Sequence, residues 1–188
     1  MRLSKARIAP LDETQWDDEA RKVMAPFTGD GDALPRTLNI FKTLSNHPAL
    51  MRRWLVFANH ILGKSTLAVR ERELVILRIG YLCQAGYEWG QHVLIARQAG
   101  MTDDEIRSCQ SGPDTPGLTE LDRLLLRATD ELHADAHVSD ATWADLSKHL
   151  STQQLMDLVF TVGQYNLVSM ALNSFGVQPD EGLPGWDI

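Results

Sequence analysis

Apolar positions recur along most of the chain at three- and four-residue intervals, the spacing that lines up one face of a helix. From His47 to Leu62 the stripe is Leu50, Trp54, Phe57 and Ile61, with Gly63 as a stop. Leu121, Leu125, Ala128 and Leu132 form a second stripe, and Trp143, Leu146 and Leu150 a third. Start signals precede several of these patterns. Thr14 and Asp17 have capping-box-like spacing ahead of a segment running to about Met24, after which Pro26, Gly29 and Gly31 break the chain and a loop follows that contains Pro35. Thr102 with Glu105, Thr119 with Asp122, and Ser151 with Gln154 predict three further helix starts.

Two segments depart from simple amphipathicity. Leu74 to Cys83 is apolar nearly all round and by propensity alone could be a buried strand, but its length and the polar lead-in Arg70-Glu-Arg-Glu73 favour a helix over Ala68 to Cys83. The segment from Ser151 to about Asn173 is rich in Leu, Val, Met and Phe on every side, so it is either central to the core or buried in a subunit interface. Gly86 is expected to interrupt the chain before a helix over Tyr87 to Gln98, closed by Gly100. Ser111 to Gly117, with two prolines and two glycines, is the clearest loop and divides two helical halves without separating domains. The expectation is an all-α fold of about eight or nine helices in one domain: an N-terminal arm over 1–35, a core over about 36–176 and a tail over 177–188.

Composition narrows the function classes. With 188 residues and 44% apolar content the chain can bury a core unaided. A net charge of -7 and a pI near 5.3 exclude a phosphate-backbone binder, since nucleic-acid domains carry a concentrated basic face; the basic pair Arg52-Arg53 lies inside an amphipathic pattern. Met1 to Pro10 has no apolar leader and no stretch approaches the roughly 20 apolar residues of a membrane span, which predicts a cytoplasmic protein with no membrane partner. Two cysteines, Cys83 and Cys109, are too few for a disulfide scaffold and read as core thiols.

The candidate chemistry lies between Glu73 and His92. Glu88 and His92 stand four residues apart, on one helix face, where a carboxylate fixes the tautomer of an imidazole and raises its basicity. Glu88 falls in a first helical turn, which favours its charge. Glu73 enters an apolar run, where desolvation would raise a carboxyl pKa toward the range of a general acid or base. The bland alternative is a surface pair worth about 0.2–0.5 kcal/mol. Arg78, inside the apolar run, is a candidate for binding a substrate carboxylate, or else is paired with Glu73 or a helix carbonyl. Tyr87 and Trp89 flank Glu88 and could line a pocket, Tyr87 with its hydroxyl, or be core. His133 and His137, also four apart, lack a third ligand and point to no metal.

Arg72-Glu73-Leu-Val-Ile-Leu-Arg78, Tyr87-Glu88-Trp89-x-x-His92 and Ala96-x-x-Ala99-Gly100-Met-Thr-Asp-Asp-Glu105-Ile together resemble the carboxymuconolactone decarboxylase and alkylhydroperoxidase-D-like superfamily. The likeness extends more loosely from about Ile8 to Gly176 and implies an alkylhydroperoxidase-D-like helical bundle that assembles as a dimer, trimer or hexamer. In the peroxidase branch a glutamate precedes a Cys-x-x-Cys pair and a histidine. Here Glu73 matches the glutamate, Ala85 and Glu88 stand where the two cysteines would be, and Cys83 lies two residues before the first. Thiol peroxidase or antioxidant activity is therefore disfavoured as an alternative, beside a catalytically silent oligomer. The resemblance implies a lyase without metal or organic cofactor, decarboxylating a small carboxylated compound and protonating the product. His92 would be the proton donor, Glu88 would orient it, Glu73 would be a second proton-handling group, and Arg78 would hold the carboxylate.

Overall fold

In a computed structural model that describes residues 2–28 and 37–188, the ambiguous apolar run is a helix. Every residue from Arg72 to Gly80 on it is buried. The helix is enclosed because other helices cover all its faces, which also explains why its sequence lacks a polar stripe. Nine α-helices occur among the described residues: α1 Asp18–Met24, α2 Asn39–Leu44, α3 Pro48–Gly63, α4 Val69–Leu82, α5 Gly86–Gln98, α6 Asp103–Ser111, α7 Glu120–Asp135, α8 Asp140–Leu146 and α9 Thr152–Phe175. The all-α expectation holds, and no strand is present among these residues.

Helix α4 is the hub, packed against α5, α6, α7 and α9. The loop after α6 is therefore a connection within one body. Two arginines at either end of the buried run fix the neighbours. Arg70 bridges Glu105 on α6 and Asp122 on α7, both at 2.7 Å. Arg78 grips Asp130 on α7 with two hydrogen bonds, at 2.6 and 2.9 Å, and donates to the carbonyls of Cys109 and Gln110 at the end of α6. A smaller apolar cluster of Trp16, Ala20, Val23, Met24 and Met51 seats α1 on α3.

Most predicted caps are present. Thr102, Thr119 and Ser151 each accept the backbone N–H three residues on, and His47 caps α3 through Nδ1. At the N-terminus Asp17 rather than Thr14 caps α1, because Asp12 and Gln15 form their own box around a 3-10 turn at Glu13–Gln15. Gly86 does not interrupt the chain: it is the first residue of α5, and the sharp turn is made by Gln84 at φ 54°. Gly29, Gly31 and Pro35 lie outside the described residues.

The ends of the chain are docked. Arg7 and Ile8 give their amides to the Phe175 carbonyl, and the Lys5 carbonyl lies where a Cβ on Gly176, at φ 69°, would be 2.7 Å away. The C-terminal tail lays Trp186 against Trp89 and Tyr81, and Trp89 donates to the Gly185 carbonyl. One expectation needs correction: α9, at 24 residues, is long and apolar enough to cross a membrane, but 56% of its most apolar window is buried inside the protein.

Candidate functional site

Glu73 sits in the buried stretch of α4 with no solvent exposure. A carboxylate there requires partners, and it has two. One oxygen accepts both Nε and Nη2 of Arg72, at 3.1 and 3.0 Å. The other faces His92 Nδ1 at 2.6 Å. Arg72 in turn donates from Nη1 to the Leu62 carbonyl at the end of α3. Burial pushes the Glu73 carboxyl up, but His92 and Arg72 together outweigh it and hold the group below the ordinary carboxylate value. Because an ionised carboxylate can only accept, Nδ1 of His92 carries the hydrogen of this bond, which leaves Nε2 as the ring nitrogen not engaged by Glu73. No described group hydrogen-bonds Nε2, and His92 lines a cavity of about 160 Å³ between α2, α3, α5 and α9. The Tyr165 ring of α9 meets the imidazole edge-on, centroids 4.8 Å apart, and steadies it.

Glu88 also lines this cavity but turns away from His92. Both its oxygens lie 3.1 Å from the Ser169 hydroxyl of α9. Gly80 makes the room: a Cβ there would stand 3.0 Å from Oε1 of Glu88. Burial raises the Glu88 carboxyl well above its ordinary value, against a smaller opposing effect of Ser169. The favourable helix N-terminus expected from sequence is worth only about 0.3–1 kcal/mol, too little to offset complete removal from water. The environments expected of the two glutamates are thus exchanged: Glu73 is favoured as the charged partner of His92, and Glu88 is the carboxyl that burial pushes toward its protonated form. The reason is packing, because α5 touches both α4 and α9, and His92 finds its partner on the first while Glu88 finds its partner on the second.

Arg78 does not face the cavity; its donors are used by Asp130 and the two α6 carbonyls, which leaves it no role with a substrate carboxylate. Tyr87 does line the cavity, and its hydroxyl donates to Asp180 of the tail at 2.5 Å while accepting from Gln91 and the Ile40 amide. Trp89 is core. Burial pushes the Cys83 thiol up to about 11, helped by the nearby Glu88, and the group donates to Asn166 at 3.1 Å. Cys109, fully buried, is pushed up to about 12. Neither is a ready thiolate. Among the described residues no cluster of His, Cys, Asp and Glu could hold a metal.

Sequence reasoning missed Arg72, Gln164, Tyr165, Ser169 and Asp180. Arg72 adjoins Glu73 and could have been found as its counter-charge. The others come from α9 and the tail, some 70 to 90 positions from His92 and without any motif.

Residues 48–131 match the model of the carboxymuconolactone decarboxylase family. Among curated proteins none matches this chain. Of solved structures, an uncharacterised peroxidase-related protein from a Silicibacter species is similar, with a TM-score of 0.80 and 16% identity over 96% of both chains. So is the alkylhydroperoxidase AhpD core of a peroxidase-related protein from Ralstonia eutropha, with a TM-score of 0.78 and 17% identity over 95% of both chains. The debrominase Bmp8, in complex with 2,3,4-tribromopyrrole, has a TM-score of 0.72 at 12% identity, over 95% of this chain and 94% of its own. At such identities these likenesses speak for the fold alone. The family match runs from α3 into α7 and takes in the helices that carry Arg72, Glu73, Glu88 and His92, so this part of the chain is similar to the carboxymuconolactone decarboxylase family and the whole chain shares the helical fold of the peroxidase-related structures.

Proposed function

We propose that this protein is a cofactor-independent acid–base enzyme, carboxymuconolactone decarboxylase-like in its use of proton transfer, acting on a small molecule in the cavity beside His92. His92 Nε2 takes or gives the proton. Glu73 fixes the tautomer and balances the imidazolium when it forms, and Arg72 keeps Glu73 ionised. Glu88, which holds a proton in its buried site, is the second proton-handling group. The observation that carries this reading is the line Leu62 carbonyl–Arg72–Glu73–His92, ending in an unpaired nitrogen at a cavity wall. A positioned general base of this kind contributes about 10²–10⁴-fold. Lyase chemistry on a carboxylated compound has less support than proton transfer itself, because Arg78 is engaged elsewhere.

The thiol alternative fares worse, since both cysteines are buried and pushed toward the neutral form. A catalytically silent protein would have no reason to keep a buried Glu–His pair opening on a cavity. The test is hydrogen exchange into a panel of small carbonyl compounds in heavy water. His92→Ala should lose at least 100-fold, whereas Cys83→Ser should stay within about twofold. Loss in Cys83→Ser with retention in His92→Ala would replace this reading with thiol chemistry.

The expected partner is a second copy of the chain. On α9, Met156, Phe160, Leu167 and Met170 are each more than half exposed, and with Gly163 they follow a 4-3-4-3 spacing free of charge. Such a stripe is a helix-pairing seam. Gly163, central in it and with open space above its Cα, allows two copies to approach about a two-fold axis. A groove of about 840 Å³ between α3 and α9, lined by Phe57, Phe160 and Leu167, runs beside the stripe and could take the partner's side chains.

A further inference from the structure

The cavity beside His92 has a polar group that no described residue hydrogen-bonds. Gln164, on α9 next to Tyr165, is only 5% exposed and lines the cavity, yet its amide has no hydrogen-bond partner among the described residues. It is not among the fully enclosed unpaired atoms either, and it stands in the wall shared by the cavity and the groove beside it. An amide left unpaired by the described residues is free to hydrogen-bond a ligand in the cavity. Trp54 Nε1 in the same wall is likewise without a partner among the described residues, and no hydrogen bond engages the Tyr165 hydroxyl, whereas two other polar groups are occupied. The Tyr87 hydroxyl donates once and accepts twice within the protein, and Gln91 gives its amide hydrogens to Tyr87 and Asp180. Among these unpaired groups Gln164 supplies the amide and His92 Nε2 the ring nitrogen, on two different walls of the cavity.

Charge limits the ligand further. No Lys or Arg appears among the described lining residues. Arg72, behind Glu73, gives three of its N–H groups to Glu73 and the Leu62 carbonyl. Carboxyls, in contrast, surround the site: Glu88 in the wall, Glu73 behind His92, and Asp180 behind Tyr87 and Gln91. A carboxylate entering would meet acidic groups and no counter-charge, which makes its burial costly. Most of the remaining lining is apolar, Phe41, Leu55 and Ile95 among it. At about 160 Å³ the space is close to that of cavities of about 150 Å³ that hold a benzene-sized ring.

We infer that the cavity takes a compact, uncharged ring carbonyl compound, with the Gln164 amide donating to the carbonyl oxygen while His92 exchanges a proton at the adjacent carbon. The inference rests on the proton-transfer reading of His92 and adds to it a substrate class and a second catalytic residue. In the step, the C–H bond beside the carbonyl breaks and its proton forms an N–H bond at His92 Nε2. The electron pair moves into the C–C bond and onto the oxygen, and the resulting enolate is held by the Gln164 N–H. Return of a proton to carbon restores the neutral imidazole, with no oxidant or reductant involved. Preorganised amide donors at such an oxygen are worth about 10²–10³ in rate.

The experiment compares cyclopentanone, 3-oxocyclopentanecarboxamide and 3-oxocyclopentanecarboxylate. The last two have the same number of heavy atoms and differ in charge. Binding to the full chain is read by NMR titration, and exchange of the protons beside the carbonyl by NMR in heavy water. The two neutral ketones should bind and exchange, and the carboxylate should bind at least tenfold more weakly. Gln164→Met should slow exchange about 100-fold, and His92→Ala should bind the ketones without exchanging them. Carboxylate binding equal to that of the carboxamide would overturn the substrate class, even with exchange at His92 intact. Exchange unchanged in both Gln164→Met and Gln164→Ala would overturn the role of Gln164. Selective binding with wild-type exchange no faster than that of His92→Ala would instead overturn the proton-transfer reading and leave the binding assignment standing. If no ketone binds the wild-type chain, the assignment fails, and that result depends on no variant folding.

Discussion

The two glutamates of the site put opposite slopes on stability as pH changes. Glu73 is held below its ordinary value, so its contribution is complete above the unfolded value of about 4.5 and is lost as pH falls through the lower folded one. Glu88 is raised, so its contribution is complete below that value and declines as pH rises toward the folded pKa. Glu88→Gln keeps the shape of a protonated carboxyl and removes the titration. It should be more stable than the wild type at neutral pH in denaturant melts and should flatten the decline above about pH 4.5, while slowing proton transfer. A variant that loses stability at neutral pH would mean that Glu88 is folded as a carboxylate. Glu73→Gln leaves the buried Arg72 without its counter-charge and should cost about 3–5 kcal/mol in the same melts. It should also leave a single acceptor oxygen for both Arg72 and His92, and no charge to balance an imidazolium, so exchange should fall along with stability.

Among the helices, α4 and α9 show why a nearly all-round apolar sequence has two outcomes. Helix α4 is covered on every side, whereas α9 buries one side against α4 and α7 and leaves Phe160, Leu167 and Met170 in solvent. Connections between helices carry local cost. Ala136 closes α7 at φ 54°, a left-handed position in which a Cβ costs about 1–2 kcal/mol. Ala136→Gly should therefore raise the thermal midpoint, by about 1 kcal/mol of stability after the greater freedom of unfolded glycine is set against it. No change in exchange activity is expected, since α7 contributes nothing to the cavity lining.

For the molecule as a whole, the exposed stripe of α9 matters most, because contiguous apolar surface of this kind marks an interaction site. The groove beside it and the His92 cavity share Ile40, Trp54, Gln164, Val168 and Leu172 as walls. Pairing through α9 would thus press on the residues that shape the cavity. Leu167→Glu puts a charge into the seam and should shift the protein toward monomer in sedimentation experiments, with proton exchange weakened as the shared wall loosens. A wild-type chain that is monomeric at micromolar concentration would remove the second copy as the partner.

Local signals in the sequence were sufficient for much of the fold. Helical spacing and capping residues placed most of the nine described helices, since both act within a few residues and need no tertiary partner. Glu73, Glu88 and His92 were legible for a similar reason, polar groups standing in an otherwise apolar stretch. Their pairing was not legible. Spacing along α5 joined Glu88 to His92, but the burial of Glu73 on α4 and of Ser169 on α9 separated them, and charge followed the available partners rather than sequence distance. Arg78 shows the same limit, since only the packing of α6 and α7 around it decided that its donors are used for structure. Gln164, Tyr165 and Asp180 reach the cavity from the far end of the chain, and only folding decides which distant residues share a wall.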